Sequence, residues 1–186
     1  MKIVGGKFRG RLLYTPKNRF IRPSDSRTKK ALFDILTHVY PDALNATRVL
    51  DIFAGTGSIG FEALSRGCLY VLFVDNSLES MKLIHRNAEC LGIGDRCNIY
   101  LRDVLNLGKI GNREPFHFLY LDPPYRRGFV EKTLHIVDKG RWLMPNAFVV
   151  VEEHVDSHIS VGPAFKLLQK RRYGDTQIYF FCYYPS

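Results

Sequence analysis

The segment Leu119-Tyr120-Leu121-Asp122-Pro123-Pro124-Tyr125 runs an apolar stretch straight into an acid, two prolines and an aromatic ring. Proline has a fixed φ and no backbone N–H, so the nearby carbonyls and the Asp122 carboxylate form a cluster that only accepts hydrogen bonds. Such a cluster suits an amine. An exocyclic base amine is a weak nucleophile because its lone pair is conjugated into the ring, and acceptors for its N–H bonds favour the rehybridised nitrogen. Tyr125 adds a π-face on which a planar base can stack. A proline-stiffened turn is the plainer alternative.

A second constellation lies upstream. Val49-Leu50-Asp51-Ile52-Phe53-Ala54-Gly55-Thr56-Gly57-Ser58-Ile59-Gly60 reads as a strand, a glycine-rich turn and the start of a helix. Glycines there let a ligand approach the backbone at the carboxyl end of the strand, where open α/β sheets bind ligands. The spacing Gly55-x-Gly57-x-x-Gly60 also fits a dinucleotide fingerprint, so this element alone does not separate a nicotinamide cofactor from S-adenosylmethionine. Asp75 follows 18 residues after Gly57, and its carboxylate can accept from both ribose hydroxyls of either cofactor. Asp103 can accept from an adenine amine or cap a helix before Val104-Leu105, and spacing does not decide between them.

These residues need elements to hold them. Strands are expected at 48–53, 71–75, 98–101, 118–121 and 147–152, with helices at 58–66, 77–91 and 129–137 between them, an alternation that implies a mainly parallel sheet covered by helices. Gly67 and Gly92 stop two of the helices. The chain then changes character, with strands at 165–172 and 176–184 joined as a hairpin across Tyr173-Gly174-Asp175. Ahead of the alternation, a helix is expected from Ser24 or Asp25 to about Tyr40, with Leu32, Ile35, Leu36 and Val39 on one face. Residues 1–23 read as short extended pieces, 2–4 and 12–14, broken by Gly5-Gly6, Gly10 and Pro16 and closed by Pro23. The expected division is a basic strand-rich extension at 1–23 and one catalytic domain at 24–186.

Charge is distributed unevenly. The chain of 186 residues has a net charge of +9, and ten of its 27 Lys/Arg but one of its 18 acids fall in residues 1–30, leaving 17 of each sign for the rest. Basic residues interleaved with glycine, proline and Phe8, Tyr14 and Phe20 suggest a polyanion-binding surface, for which Lys7, Arg9, Arg11, Arg22 and Arg27 are the candidates. The cysteines, Cys68, Cys90, Cys97 and Cys182, form no C-x-x-C pair and read as reduced, mostly buried thiols. With no apolar run of bilayer length and no signal-peptide core, a cytoplasmic protein is expected.

Asp51-x-Phe53-Ala54-Gly55-x-Gly57 together with Asp122-Pro123-Pro124-Tyr125 resembles the class I S-adenosylmethionine methyltransferases that modify adenine N6 or guanine N2. Gly6-Lys7-Phe8-Arg9-Gly10-Arg11, Thr15-Pro16, Arg22-Pro23 and Arg27 leading into Ala31-Leu32-Phe33-x-Ile35-Leu36 are similar to the RsmD family of bacterial 16S ribosomal RNA guanine-N2 methyltransferases, as is the Tyr173-Gly174-Asp175-Thr176 corner. The resemblance implies an α/β, Rossmann-like seven-stranded sheet of order 3-2-1-4-5-7-6 with the last strand antiparallel. It implies S-adenosylmethionine held by Asp51, Phe53, Ala54, Gly55, Thr56, Gly57, Asp75, Asn76, Asp103 and Val104. Asp122, Pro123 and Tyr125 would hold the target base. The implied partner is 16S ribosomal RNA or the assembling small subunit; no metal, no membrane and a monomer are the further expectations. Two other readings stay open: methylation of another exocyclic amine, such as adenine N6 in DNA or RNA, and a non-catalytic RNA-binding assembly factor on the same fold.

Overall fold

Short runs of β-branched and aromatic residues form the strands, and glycines or capping residues end the intervening helices. The computed structural model describes residues 1–15 and 26–185. The strands are β1 (Arg48–Ile52), β2 (Tyr70–Asp75), β3 (Cys97–Leu101), β4 (Phe116–Leu121), β5 (Leu143–His154), β6 (Phe165–Tyr173) and β7 (Thr176–Tyr183). The helices are α1 (Ser26–His38), α2 (Ser58–Ser65), α3 (Leu78–Leu91) and α4 (Phe129–Lys139). One sheet of order β3-β2-β1-β4-β5-β7-β6 contains all seven strands. β1 to β5 pair in parallel, and β7 lies antiparallel to both β5 and β6. This is the class I methyltransferase fold. Among the described residues no helix is long and apolar enough to cross a membrane.

Each face of the sheet carries its own apolar layer. Val49, Phe73, Phe118, Val150 and Phe180 pack toward α1, α2 and α3 on one side, while Leu50, Val74, Leu119, Val149 and Phe181 pack toward α4 on the other. Parallel strands buried on both faces read as nearly continuous apolar runs, which is why the expected strands at 71–75 and 118–121 lie within the observed ones.

The differences are local. Met81, Ile84, Ala88 and Leu91 line the buried side of α3 as expected, but Leu78 is 56% exposed. Ser77 caps the helix, so Leu78 occupies the first helical position and points outward. Val39 lies beyond the end of α1 and is also 56% exposed, while the expected capping residues Ser24 and Asp25 fall outside the described residues. β5 begins at Leu143, earlier than the expected 147; exposed Pro145 and Asn146, the latter at φ 64°, interrupt the apolar pattern there, where the β4–β5 pairing shifts register. Cys68 is the one buried cysteine; Cys90 is exposed and Cys97 and Cys182 are half-buried.

Residues 1–15 contain a single antiparallel bridge, Lys2 to Leu12, rather than strands. Ile3 and Leu13 are buried in the same apolar layer as α1, α2 and α3. This segment is therefore part of the core rather than an appendage to it.

Candidate active site

Just past Ile52 the chain enters three left-handed positions, Phe53 at φ 60°, Gly55 at 54° and Gly57 at 73°. A non-glycine residue there costs on the order of 1–3 kcal/mol. Phe53 is held edge-on against Phe129, ring centroids 5.5 Å apart. The loop is stitched to its surroundings: the Ala54 N–H donates to the Val74 carbonyl (3.1 Å) and the Gly57 N–H to the Ala54 carbonyl (2.7 Å). A Cβ on Gly57 would come within 2.8 Å of the Phe61 ring, and one on Gly60 would overlap the Phe73 ring. Two of the three glycines thus make room for packing, so that α2 can lie against β2. Gly55 alone of the three lines the cleft.

Asp51 and Asp75 divide the work of holding this loop. Asp51 is 1% exposed, and its Oδ2 accepts the Gly60 N–H at 3.0 Å. Burial pushes its carboxyl well above the ordinary range; the Gly60 bond opposes this and the nearby Asp75 charge adds to it. Asp75 ends β2, with Oδ2 accepting from the Gly55 N–H and Oδ1 from the Ser77 N–H, both at 2.8 Å. A carboxylate offers about four acceptor sites, so Asp75 can anchor the loop and still accept from a ligand.

Across the cleft stands the Asp122 loop. Asp122, Pro123, Pro124 and Tyr125 face Phe53, Gly55, Asp75 and Asn76 over a cavity of about 520 Å³, with Ser77, Glu79 and Ser80 completing the wall. Ligand sites commonly enclose about 300–1,000 Å³. The other expected cofactor residues stand outside this lining. Asp51 lies beneath the loop, Thr56 and Val104 are buried, and Ala54 and Gly57 shape the turn. The Asp103 Oδ1 accepts from the Leu105 N–H at 2.9 Å, capping a short 3₁₀ turn at Val104–Asn106, as in the capping alternative.

The position of Tyr125 is set by β5 and the β6–β7 hairpin. Its hydroxyl shares a hydrogen bond with Thr176 Oγ1 (3.2 Å), and its ring meets His154 edge-on, centroids 6.1 Å apart. Arg126 follows at φ 60°. Its N–H donates to Glu153 Oε1 (3.1 Å), which also accepts from the His154 N–H and the Ser157 hydroxyl. Glu153 is 2% exposed, so this carboxylate is a buried post to which the strained residue is tied. Beside it, the Tyr120 hydroxyl donates to Glu152 Oε1 at 2.5 Å. Burial, then the charges of Glu152, Asp122 and Asp51, push the Tyr120 hydroxyl well above its usual range. Sequence reasoning gave no role to Glu152 or Glu153, and none to Tyr120 or Thr176 beyond their place in the Asp122 segment and the Tyr173-Gly174-Asp175-Thr176 corner. One signal was present: Val149-Val150-Val151 ends in two consecutive acids at the carboxyl end of a strand.

Three of the five basic candidates share one exposed turn. Lys7, Arg9 and Arg11 are exposed, but their turn is fixed to the far end of α2, where the Lys7 N–H donates to the Ser65 carbonyl (2.7 Å) and the Phe8 N–H to Ser65 Oγ (2.8 Å). α2 spans eight residues, which puts that turn about 12 Å along its axis from the glycine loop. Arg22 lies outside the described residues, and Arg27 is described only by its place in α1. Lys29, counted among the basic residues of the sequence, is 1% exposed; its ammonium donates to the Lys2 carbonyl (3.0 Å) and faces Glu62 at 3.8 Å.

The chain matches, over residues 1–182, the family model described as conserved hypothetical protein 95. It is 31% identical over 164 residues to ribosomal RNA small subunit methyltransferase D of Escherichia coli, covering 88% of this chain and 80% of that one. The chain belongs to the ribosomal RNA small subunit methyltransferase D family. Its structure superposes on the yhhF protein of Escherichia coli with a TM-score of 0.87 at 25% identity, covering 100% of this chain and 99% of that one. A likeness of fold extends to an RNA methyltransferase of Salinibacter ruber solved with S-adenosyl-L-homocysteine, with a TM-score of 0.66 at 13% identity over 88% and 95% of the two chains. Asp75 and Asp122 bring two carboxylates to the lining of one cleft.

Proposed function

We propose that this chain transfers the methyl group of S-adenosylmethionine to the exocyclic N2 amine of a guanine in small-subunit ribosomal RNA. The observation that carries the reading is that Asp75, Gly55 and Asp122 open into the same cleft at the carboxyl ends of β1, β2 and β4. Family membership supports the ribosomal RNA substrate. S-adenosylmethionine, when bound, supplies an electrophilic methyl on a sulfonium.

The chain's own residues do the rest. Asp75 accepts from the ribose hydroxyls while keeping Gly55 in place. Asp122 and the Pro123 carbonyl accept the N–H bonds of the amine, drawing its lone pair out of conjugation and toward the methyl. This interaction strengthens as the nitrogen rehybridises, so it lowers the barrier more than it tightens binding. Tyr125 stacks on a guanine turned out of its strand. Exposed Lys7, Arg9 and Arg11 add a basic face on the body of the enzyme.

Incubation with radiolabelled S-adenosylmethionine and small subunits or 16S RNA, followed by nucleoside separation, tests the reading. N2-methylguanosine is the expected product. Label in N6-methyladenosine would replace guanine with adenine, and a protein that binds no cofactor at millimolar concentration would be an assembly factor instead.

A further inference from the structure

The even charge count of residues 31–186, 17 of each sign, does not hold at the surface. Asp51, Glu62, Glu152 and Glu153 are each at most 5% exposed, so four of those acids face inward. Basic residues, in contrast, gather on one strand. β6 carries Lys166, Lys170, Arg171 and Arg172, all exposed, and no acid. None of the ion pairs among the described residues includes any of the four.

β6 is an edge strand, bonded only to β7. Edge strands commonly carry lysine and bulges that discourage sheet addition, and β6 has an irregularity between Leu167 and Gln169. Protection of the edge does not account for where the charges sit, however. Leu167 and Leu168 remain 48% and 41% exposed in the strand, while three cations crowd into 170–172. The opposite edge, β3, has no charged residue within it.

The crowded end is the active-site end. β7 starts opposite the end of β5, Thr176 against His154, and Arg172 lies opposite Gln177, next to the Thr176 that holds Tyr125. Lys170 and Arg172 share one face of the strand by its two-residue period. Arg171 shares the other with Gln169, whose amide donates to the Tyr40 hydroxyl at 3.0 Å. Cations thus flank the edge on both sides, with one acid, Asp175, at the turn.

We propose that the exposed edge of β6, centred on Lys170, Arg171 and Arg172, is a phosphate-binding track that grips the RNA backbone next to the nucleotide held at Tyr125. The inference rests on the proposed RNA reaction. A base drawn out of its strand leaves flanking phosphates that have to be held in register, and contacts to phosphate position a nucleic acid without reading its sequence. Because the track is continuous with the loop that holds Tyr125, it registers the strand on the site directly, whereas the Lys7-to-Arg11 turn lies at the far end of α2.

The test compares RNA affinity of the wild type and the K170E/R171E/R172E variant across a salt series, with S-adenosylmethionine affinity as the check on folding. Three lost phosphate contacts should weaken RNA binding by about 10²-fold or more near 0.1 M salt and flatten the slope of log affinity on log salt by about 2–3, while cofactor affinity holds. The KM for RNA should rise by more than kcat falls. If the triple reversal misfolds, the single substitutions Lys170→Gln, Arg171→Gln and Arg172→Gln keep the test readable, each flattening the slope by about 0.7–0.9. Unchanged RNA affinity and slope in a variant that binds cofactor would overturn the track. So would a wild-type dimer that the substitutions dissociate, since the edge would then serve a second copy of the chain. Failure of the reaction itself reads differently: the wild type would put no label on RNA.

Discussion

At the scale of single residues, the proposed reaction gives the chemistry to Asp122 and the holding of the base to Tyr125. Asp122→Ala should lower the single-turnover rate of methyl transfer by roughly 10²-fold or more while RNA affinity changes little, because its bonds to the amine are strongest in the transition state. A near wild-type rate in a folded variant would remove Asp122 from the mechanism. Tyr125→Ala loses a base-stacking face worth about 1–3 kcal/mol. Tyr125→Phe keeps the ring and removes the hydroxyl that shares a hydrogen bond with Thr176, a bond worth about 0.5–1.5 kcal/mol, so it should keep most activity. An inactive Phe variant would show that the tie to the hairpin, rather than the ring face, is what matters. Asp122-Pro123-Pro124-Tyr125 was legible because prolines and an acid after an apolar run have few structural uses. Glu153 and Thr176 were not, since each meets the loop across strands far away in sequence, 27 residues from Arg126 and 51 from Tyr125.

At the scale of elements, α2 joins the glycine loop to residues 1–15. In its first turn the Gly60 N–H donates to Asp51. Its last turns hold residues 1–15: Glu62 accepts the Val4 N–H (2.9 Å) and the Arg66 guanidinium (2.9 Å) and faces the buried Lys29. Burial and Arg66 lower the Lys29 pKa while Glu62 raises it, burial being the larger influence. Glu62→Ala should therefore destabilise the fold by about 3–5 kcal/mol, the range for leaving a buried charge without its partner, measured as a fall in the denaturant midpoint. A loss under about 1 kcal/mol would mean that Lys29 sheds its proton or finds another acceptor without difficulty. Helix and strand positions were largely readable from periodicity and from Gly67 and Gly92. The role of residues 1–15 was hidden because Ile3-Val4 and Leu12-Leu13-Tyr14 are short apolar runs between charges and glycines, and the layer that Ile3 and Leu13 join is made by residues distant in sequence.

At the scale of the whole molecule, the strand order followed from the resemblance, and the parallel part and terminal hairpin from the alternation itself. Surface charge did not follow, because a count cannot tell which acids face inward. One of those acids sets a pH dependence. Asp51 has a folded-state pKa raised well above its ordinary value, so the native state keeps a proton that the unfolded chain releases, and stability falls as pH rises through that window. Asp51→Asn keeps an acceptor for the Gly60 N–H and cannot ionise. Thermal midpoints from about pH 4 to about pH 8 should show the Asn variant gaining on the wild type as pH rises; parallel curves would mean that Asp51 ionises normally. The bond between Tyr125 and Thr176 has a further consequence for the order in which the enzyme comes to life. β1, β2 and the glycine loop are complete by residue 75, but the Tyr125 loop waits for a hairpin that emerges from the ribosome about a hundred residues later. The Asp75 wall of the cleft is thus synthesised well before the contact that fixes Tyr125, and on the proposed reaction translation itself delays catalytic competence until the C-terminal hairpin has folded.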